Sequence, residues 1–123
     1  MYGFVFTNNM VVTGRYPIWS AGGGLSSCAA VGTPAQKISK CFSTNTYKNN
    51  ALIGTPDAFP PASWPTGNFF PTDGNKAGFV QFDNGVNGDY RLQPNSPYKN
   101  AGTDGKDLGA DIVGLDSALA GVD

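Results

Sequence analysis

The chain has 123 residues, 40% of them hydrophobic, with 17 Gly and 9 Pro. This length fits one domain over residues 1–123, and this composition is typical of turns and short strands rather than long helices. The sequence contains no His and no Glu, which excludes Ser-His-Asp and Cys-His catalysis and the usual His-containing zinc sites. Nine Asp are the only side-chain carboxyls.

The net charge of −1 hides an asymmetry between the two halves of the chain. Residues 1–56 carry four basic residues and no acidic one, whereas residues 57–123 carry nine Asp and four basic residues. The basic residues of the first half are scattered singly, without the stripe and aromatic platforms of nucleic-acid binders, so we expect no nucleic-acid partner. No apolar run approaches the roughly 20 residues that span a bilayer, so we expect no membrane partner.

The first nine residues have neither the basic region nor the long apolar region of a signal peptide. They resemble the middle of a strand, so we expect the chain to be a mature or truncated fragment. Short apolar runs bounded by Asn, Gly, Pro or Asp predict strands in several places along the chain. These runs are residues 3–7, 10–13, 38–42, 51–53, 79–82 and 90–93.

One pattern occurs twice, at residues 6–12 and 47–53, 41 positions apart. It reads aromatic, polar, Asn, Asn, any residue, aliphatic, aliphatic. Asn tolerates the left-handed backbone of a sharp bend, and the amides of stacked Asn corners can hydrogen-bond from one layer to the next. The pattern therefore predicts two stacked corners, and the alternative is two unrelated Asn-rich turns.

Two longer segments separate these runs. Residues 15–36, with three consecutive Gly and two Pro, are predicted as a surface loop. Residues 54–76 contain five Pro, which forbid a helix or a central strand, but also four large aromatics, so we expect an ordered loop packed on the body. Cys28 and Cys41 form either a disulfide, which would imply an exported protein, or two buried thiols.

Near the end of the chain, Ile112, Leu115, Leu119 and Val122 recur at helical spacing, which predicts a short helix with Asp111 as its N-cap. Short strands with bends between them fit either an antiparallel sandwich or barrel, or a stack of parallel strands. The Asn-Asn repeat favours the parallel stack.

Residues 89–112, Asp-Tyr-Arg-Leu-Gln-Pro-Asn-Ser-Pro-Tyr-Lys-Asn-Ala-Gly-Thr-Asp-Gly-Lys-Asp-Leu-Gly-Ala-Asp-Ile, resemble the C-terminal end of bacterial parallel β-helix proteins of the pectate-lyase-like superfamily. Residues 4–12, 65–71 and 78–82 resemble these proteins too. The resemblance implies an all-β, right-handed parallel β-helix with few coils, long loop insertions and a short C-terminal capping helix. Coils would occupy residues 1–93 and a capping segment residues 94–123. For the full-length family it also implies an extracellular or cell-surface location.

Many enzymes of that superfamily act on acidic polysaccharides with Asp, Ca²⁺ and an Arg or Lys base on central coils. No position of this chain matches those catalytic residues, so no catalytic residue is assigned. Asp104, Asp107 and Asp111 are candidates for a Ca²⁺ site, because three carboxylates lie within eight residues; the alternative is a solvated turn plus a helix cap. We expect no other cofactor.

Aromatic residues in loops are the candidates for sugar binding, because aromatic faces bury the apolar surface of sugar rings. They are Tyr16, Trp19 and Trp64; the alternative is that they pack loops onto the core.

Two functions follow from these observations. The first is a non-catalytic structural or interaction module that forms a homo-oligomer through an open N-terminal coil, by closed or head-to-tail contacts. Its interface would comprise Tyr2, Phe4, Phe6, Val11 and Val12. The alternative is a carbohydrate-binding or polysaccharide-lyase-like protein, with a polysaccharide as partner.

Overall fold

The computed structural model describes residues 3–19, 22–83 and 87–122. Short strands and two helices make up its regular structure, with single 3₁₀ turns at Gly24–Ser26 and Pro61–Ser63. In chain order the elements are β1 (Phe4–Thr7), β2 (Met10–Val12), α1 (Pro34–Cys41), β3 (Asn45–Lys48), β4 (Ala51–Ile53), β5 (Phe79–Gln81), β6 (Asp89–Leu92) and α2 (Ile112–Leu119).

The prediction of an all-β, right-handed parallel β-helix is wrong. Across the described residues the strands form only two-stranded sheets: β1–β3 and β2–β4 are parallel, and β5–β6 is antiparallel. With the two helices, this is a small mixed α/β domain. The stacking does not extend into a solenoid, because after the two repeated corners only one further segment, residues 67–71, hydrogen-bonds to β4. After β4 the Pro-rich chain makes a single parallel bridge, between Ala51 and Phe69, and then enters the antiparallel β5–β6 pair.

The C-terminal helix forms where it was predicted, but its capping role is not observed. Asp111 accepts a hydrogen bond from the N–H of Gly114 (2.8 Å), as an N-cap does. No residue of α2 is buried, and its large apolar side chains Leu115 and Leu119 are exposed. The helix therefore covers no apolar end of the molecule.

The prediction that the two Asn-Asn corners stack is confirmed. β1 pairs with β3 and β2 with β4 at a constant shift of 41 residues, from Phe4 opposite Asn45 to Val12 opposite Ile53. Between the paired strands the chain bends at Asn8 and Asn49, whose φ angles are +65° and +54°. Asn is one of the few residues with a side chain that adopts this left-handed conformation readily, which explains its place at both corners.

The predicted strand at residues 38–42 is instead the end of α1. Thr33 Oγ1 accepts the N–H of Gln36 (3.2 Å), and Gln36 Oε1 accepts the N–H of Thr33 (2.9 Å), which is a capping box. Pro34 occupies the first turn, where a missing N–H costs nothing. A disulfide joins Cys41 at the end of α1 to Cys28, so this alternative, not two free thiols, holds in the structure.

β4 separates two apolar clusters, which is why all three of its residues are buried. Its alternate side chains point to opposite faces, with Leu52 on one side and Ala51 and Ile53 on the other. The Leu52 side also contains Ile38, Tyr47, Trp64, Phe4, Phe6 and Val11; the Ala51 side also contains Ala77, Tyr98, Leu108, Met10 and Phe69.

Candidate functional site

The side of β1 and β2 that faces away from β3 and β4, here called the outer edge, has no strand paired with it in the described part of the chain. The N–H of Thr13 donates to the carbonyl of Ile53 (2.9 Å), and the N–H of Ala51 donates to the carbonyl of Asn9 (2.8 Å). Consecutive residues of a parallel strand direct their peptide groups to opposite sides. The peptide groups of Met10 and Val12 therefore face the outer edge.

Apolar side chains flank this edge. Val5 is 64% exposed and Val12 is 54% exposed. Phe4 and Phe6, by contrast, turn inward: Phe4 stacks on Phe42 with ring centroids 4.0 Å apart, and Phe6 stacks on Tyr47 at 5.1 Å. The alternation of inward and outward side chains along β1 follows from the period of a strand.

The five residues predicted for the oligomer interface thus have different positions. Val12 lies exposed beside the outer edge, whereas Phe4, Phe6 and Val11 are half-buried and pack on the core. Tyr2 lies outside the described residues. Sequence reasoning missed Val5, although its position between two Phe in a short strand was a sufficient signal.

A ladder of Asn side chains runs through the stacked corners. The N–H and Nδ2 of Asn9 both donate to Asn50 Oδ1 (3.0 Å each). In the same way the N–H and Nδ2 of Asn50 donate to Asn68 Oδ1 (3.1 and 3.0 Å). Asn50 is fully buried, and its Nδ2 also donates to the carbonyl of Phe6 (2.9 Å). Asn9 therefore donates to Asn50, and Asn50 donates to Asn68.

Asn68 belongs to a third corner, which pairs with β4 from the side opposite β2. The N–H groups of Leu52 and Gly54 donate to the carbonyls of Phe69 and Pro71 (2.8 and 3.0 Å), and the N–H of Phe69 donates to the carbonyl of Asn50 (2.8 Å). Here Gly67, with φ +85°, takes the left-handed position held by Asn in the other two corners. The free side of residues 67–71 is here called the lower edge.

A second surface feature is a cleft of about 810 Å³ that contains the exposed aromatics. Tyr16 (69% exposed) and Trp19 (75% exposed) line it together with Arg15, Lys37 and Phe59. The Arg15 guanidinium lies 5.6 Å from the Tyr16 ring centroid, and Lys37 Nζ lies 5.4 Å from that of Phe59. The cleft is therefore both aromatic and cationic.

Trp64, the third predicted sugar-binding residue, lies elsewhere. It is buried in the core, its ring stacks against Tyr47, and its Nε1–H donates to the carbonyl of Phe59 (3.1 Å). Its packing agrees with the alternative prediction, in which this aromatic side chain packs its loop onto the core.

The three Asp proposed for Ca²⁺ line one cleft, but each has a local partner. Asp104 accepts the N–H of Lys106 (3.0 Å), and Asp111 caps α2. Asp107 accepts a hydrogen bond from Lys99 Nζ (2.7 Å), which lowers the pKa of this carboxyl below its usual range. Within the residues that the structure describes, no group of three or more acidic or Cys side chains is placed to hold a metal ion, and Ca²⁺ binding stays a prediction.

An ion pair between Asp89 and Arg91 lies in β6. The guanidinium hydrogen bonds lower the pKa of Asp89 to about 2, so this carboxylate is ionised across the physiological range. The pair is exposed, and its partners satisfy each other rather than an outside group.

No protein-family model, curated protein or solved structure matches the chain. The resemblance to the pectate-lyase-like superfamily therefore has no support from these comparisons. None of the helices formed by the described residues has the length and apolar character needed to cross a bilayer.

Proposed function

We propose that the protein is a non-catalytic interaction module that self-associates through the outer edge of β1 and β2. The observation that carries this proposal is that, among the described residues, no strand pairs with that edge; only at the corner between the two strands does Gly109 N–H donate to the carbonyl of Asn8 (2.8 Å). An unpaired strand edge offers a row of N–H and C=O groups to another chain, and main-chain hydrogen bonds then supply affinity.

The surroundings of the outer edge support the same conclusion. Natural proteins protect exposed edges with charged side chains, Pro or bulges. The outer edge instead has Val5 and Val12 beside it, and β1 and β2 contain no Pro or charged residue. Burial of these two side chains in an interface would add the favourable free energy of removing apolar surface from water.

The test is the solution mass measured by light scattering over a range of protein concentrations, with the variant V5K and the matched control V113K. Val5 and Val113 are 64% and 63% exposed, so the same substitution adds the same charge at equal exposure. We expect the native chain and V113K to grow in mass with concentration and V5K to remain a monomer. A native chain that stays monomeric throughout would refute the proposal.

Carbohydrate binding is the second candidate, and the aromatic cleft favours it. Tyr16 and Trp19 present largely exposed rings on one cleft, with Arg15 and Lys37 beside them to donate hydrogen bonds. Stacking of a pyranose ring on such faces buries apolar surface at little cost in side-chain entropy.

This candidate is tested by titrating oligosaccharides of neutral and uronic-acid type while Trp fluorescence is recorded. Trp19 is exposed and Trp64 is buried, so a bound sugar should change the emission of Trp19 alone. We expect W19A to lose both the signal and the binding. A native chain that binds no sugar in either series would eliminate this candidate without affecting the first.

We also propose an extracellular or cell-surface location. The disulfide between Cys28 and Cys41 supports it, because structural disulfides persist mainly in oxidising compartments. If native protein trapped with iodoacetamide carries two alkylated thiols, this proposal is wrong.

A further inference from the structure

A cavity of about 460 Å³ lies beside β2, between the stacked strands, the β5–β6 pair and the segment that precedes α2. This last segment explains why the space exists. The N–H of Gly109 donates to the carbonyl of Asn8 (2.8 Å), so the segment lies against the first corner. The chain then turns away at Ala110, whose carbonyl accepts the N–H of Ile112 (3.0 Å), and α2 begins. The turn leaves a space beside Val12, here called the apolar cavity.

Large apolar side chains form two walls of the apolar cavity. Val12 and Ile53 of the stacked strands contribute to one wall, and the rings of Phe79, Phe82 and Tyr90 form another. The Tyr90 ring stands nearly perpendicular to the other two rings, at centroid distances of 5.4 and 6.4 Å. Edge-to-face contacts of this kind are favourable, so the three rings hold one another in place. The aromatic wall is therefore formed before any ligand arrives.

Asp83 supplies the only charged side chain among the described residues that line the apolar cavity. Its carboxylate is half-buried, and none of the described residues donates a hydrogen bond to it or forms an ion pair with it. Asp89 and Asp107, by contrast, are paired with Arg91 and Lys99. A carboxylate among apolar side chains with no counter-ion favours the entry of a cation.

We infer that the apolar cavity binds an organic ammonium ion, a protonated primary amine that carries an aromatic or aliphatic group. The ammonium group donates to the carboxylate of Asp83, and the apolar group displaces water from Val12 and Phe79. Charge-assisted hydrogen bonds are among the stronger ones in proteins. Aromatic rings beside a cation stabilise it further through their quadrupoles. An anion of the same shape meets the like charge of Asp83 and is repelled.

The size and chemistry of the cavity agree with a small-molecule site. Such sites have volumes of roughly 300–1,000 Å³ and mostly apolar walls with a few polar groups. The cleft that contains Tyr16 and Trp19 has the opposite charge, because Arg15 and Lys37 line it. Each site therefore selects ligands of one sign, and the sign of the probe distinguishes the two sites.

Three probes of nearly equal shape test the inference: 2-phenylethylammonium, 2-phenylethanol and phenylacetate. Each is titrated into the ¹⁵N-labelled full chain and followed by NMR. We expect the ammonium ion to bind about tenfold more tightly than the alcohol, as one charge-assisted hydrogen bond predicts, and phenylacetate not to bind in this cavity. Nuclear Overhauser contacts from the bound phenyl ring to the methyl groups of Val12 and Ile53 would locate it.

Two variants and a matched control identify the groups responsible. D83N should bind the ammonium ion and the alcohol equally, because the charge is lost and the walls are unchanged. D57N removes the same charge from an exposed carboxylate outside the cavity, so it should keep the tenfold preference. A110F leaves Asp83 in place and adds a ring where Ala110 lines the cavity, so it should weaken binding of both probes.

Equal affinity of the native chain for the ammonium ion and the alcohol would overturn the role of Asp83. Contacts of the bound ammonium ion with Trp19 instead of Val12, or full binding by A110F, would overturn the location. Absence of binding by the ammonium probe would refute the inference entirely. Light scattering on the same samples reports self-association separately, so neither result decides the other.

Discussion

Replacement of Asn50 tests the physical basis of the fold, because this side chain connects all three corners. It is fully buried and takes part in four side-chain hydrogen bonds: two accepted from Asn9, one donated to the carbonyl of Phe6 and one donated to Asn68. The variant N50A removes all four and leaves their partners in the protein interior. We expect a large loss of folding free energy.

The size of the loss follows from these bonds. A buried hydrogen bond contributes about 1 kcal/mol net, and an abandoned buried partner costs a comparable amount, so N50A should destabilise the fold by about 4 kcal/mol. That is a large part of the 5–15 kcal/mol typical of whole domains. For a chain of this size it corresponds to a fall in Tm of roughly 12–20 °C.

The measurement is urea denaturation followed by circular dichroism and Trp fluorescence, with N45A as the matched control. Asn45 lies in β3 and donates one exposed hydrogen bond, to the carbonyl of Phe42 (3.3 Å), so N45A should cost less than about 1 kcal/mol. A third variant, N50D, keeps the shape but replaces the donor Nδ2 with an acceptor. Its stability should fall as the pH rises above about 4, where a carboxyl in the unfolded chain ionises.

An N50A variant within about 1 kcal/mol of N45A would refute the claim that the ladder stabilises the corners. Equal stability of N50D at pH 3 and pH 7 would refute the claim that the amide donor matters. Both outcomes are read from the midpoint and slope of the same unfolding curves.

Reduction of the disulfide between Cys28 and Cys41 should cost about 3 kcal/mol, the loop-entropy value for a closed loop of this size, and is measured by urea unfolding with and without reductant. Burial raises the pKa of Tyr47 to about 12. Since the unfolded value is lower, the contribution of Tyr47 to stability should be constant below pH 10 and fall by roughly 2–3 kcal/mol between pH 10 and 12, and Y47F should abolish that fall. The variant V12P should fold but stay monomeric, because the N–H of Val12 faces the outer edge. The variant V11P should unfold, because the N–H of Val11 faces β4. Equal behaviour of the two variants in circular dichroism and light scattering would contradict the assigned strand faces.

The corners could be predicted from the sequence because their cause is local. A left-handed φ at Asn8 and Asn49 is a property of Asn itself. Of the aliphatic residues that follow, Leu52 and Ile53 are buried and Val11 packs on the core, whereas Val12 is exposed. The third corner was missed because it was sought as two consecutive Asn. Gly67 adopts the same backbone conformation as Asn, so the better signal is Asn or Gly followed by Asn.

The helix α1 was missed for a different reason. Residues 38–42 look like a short apolar run, but the apolar positions Ile38, Cys41 and Phe42 are three and four apart, which is helical spacing. The capping box was visible in the sequence, because Thr33 and Gln36 are three residues apart and Pro34 lies between them. Local start signals of this kind outweigh a five-residue apolar run.

The overall architecture could not be predicted because it depends on how far the stacking continues. One repeat of 41 residues fixes two layers, but it contains no information on the next one. How the chain continues after β4 depends on Pro71, which lacks the N–H that a strand in its position would donate. It also depends on the turn that pairs β5 with β6 in the antiparallel sense. The positions of the candidate sugar-binding residues also depend on how distant parts of the chain pack. Tyr16 and Trp19 share a cleft, whereas Trp64 is buried, although all three lie in segments predicted as loops.

The direction of the Asn ladder follows from the chemistry of the individual corners. Asn is selected at the first corner position for its backbone conformation and at the second for its amide, which offers an acceptor on one side and donors on the other. Stacked in parallel, such amides all point the same way, so the ends of any finite ladder have opposite hydrogen-bonding character. The direction of the stack is therefore a consequence of the same side chains that form the bends.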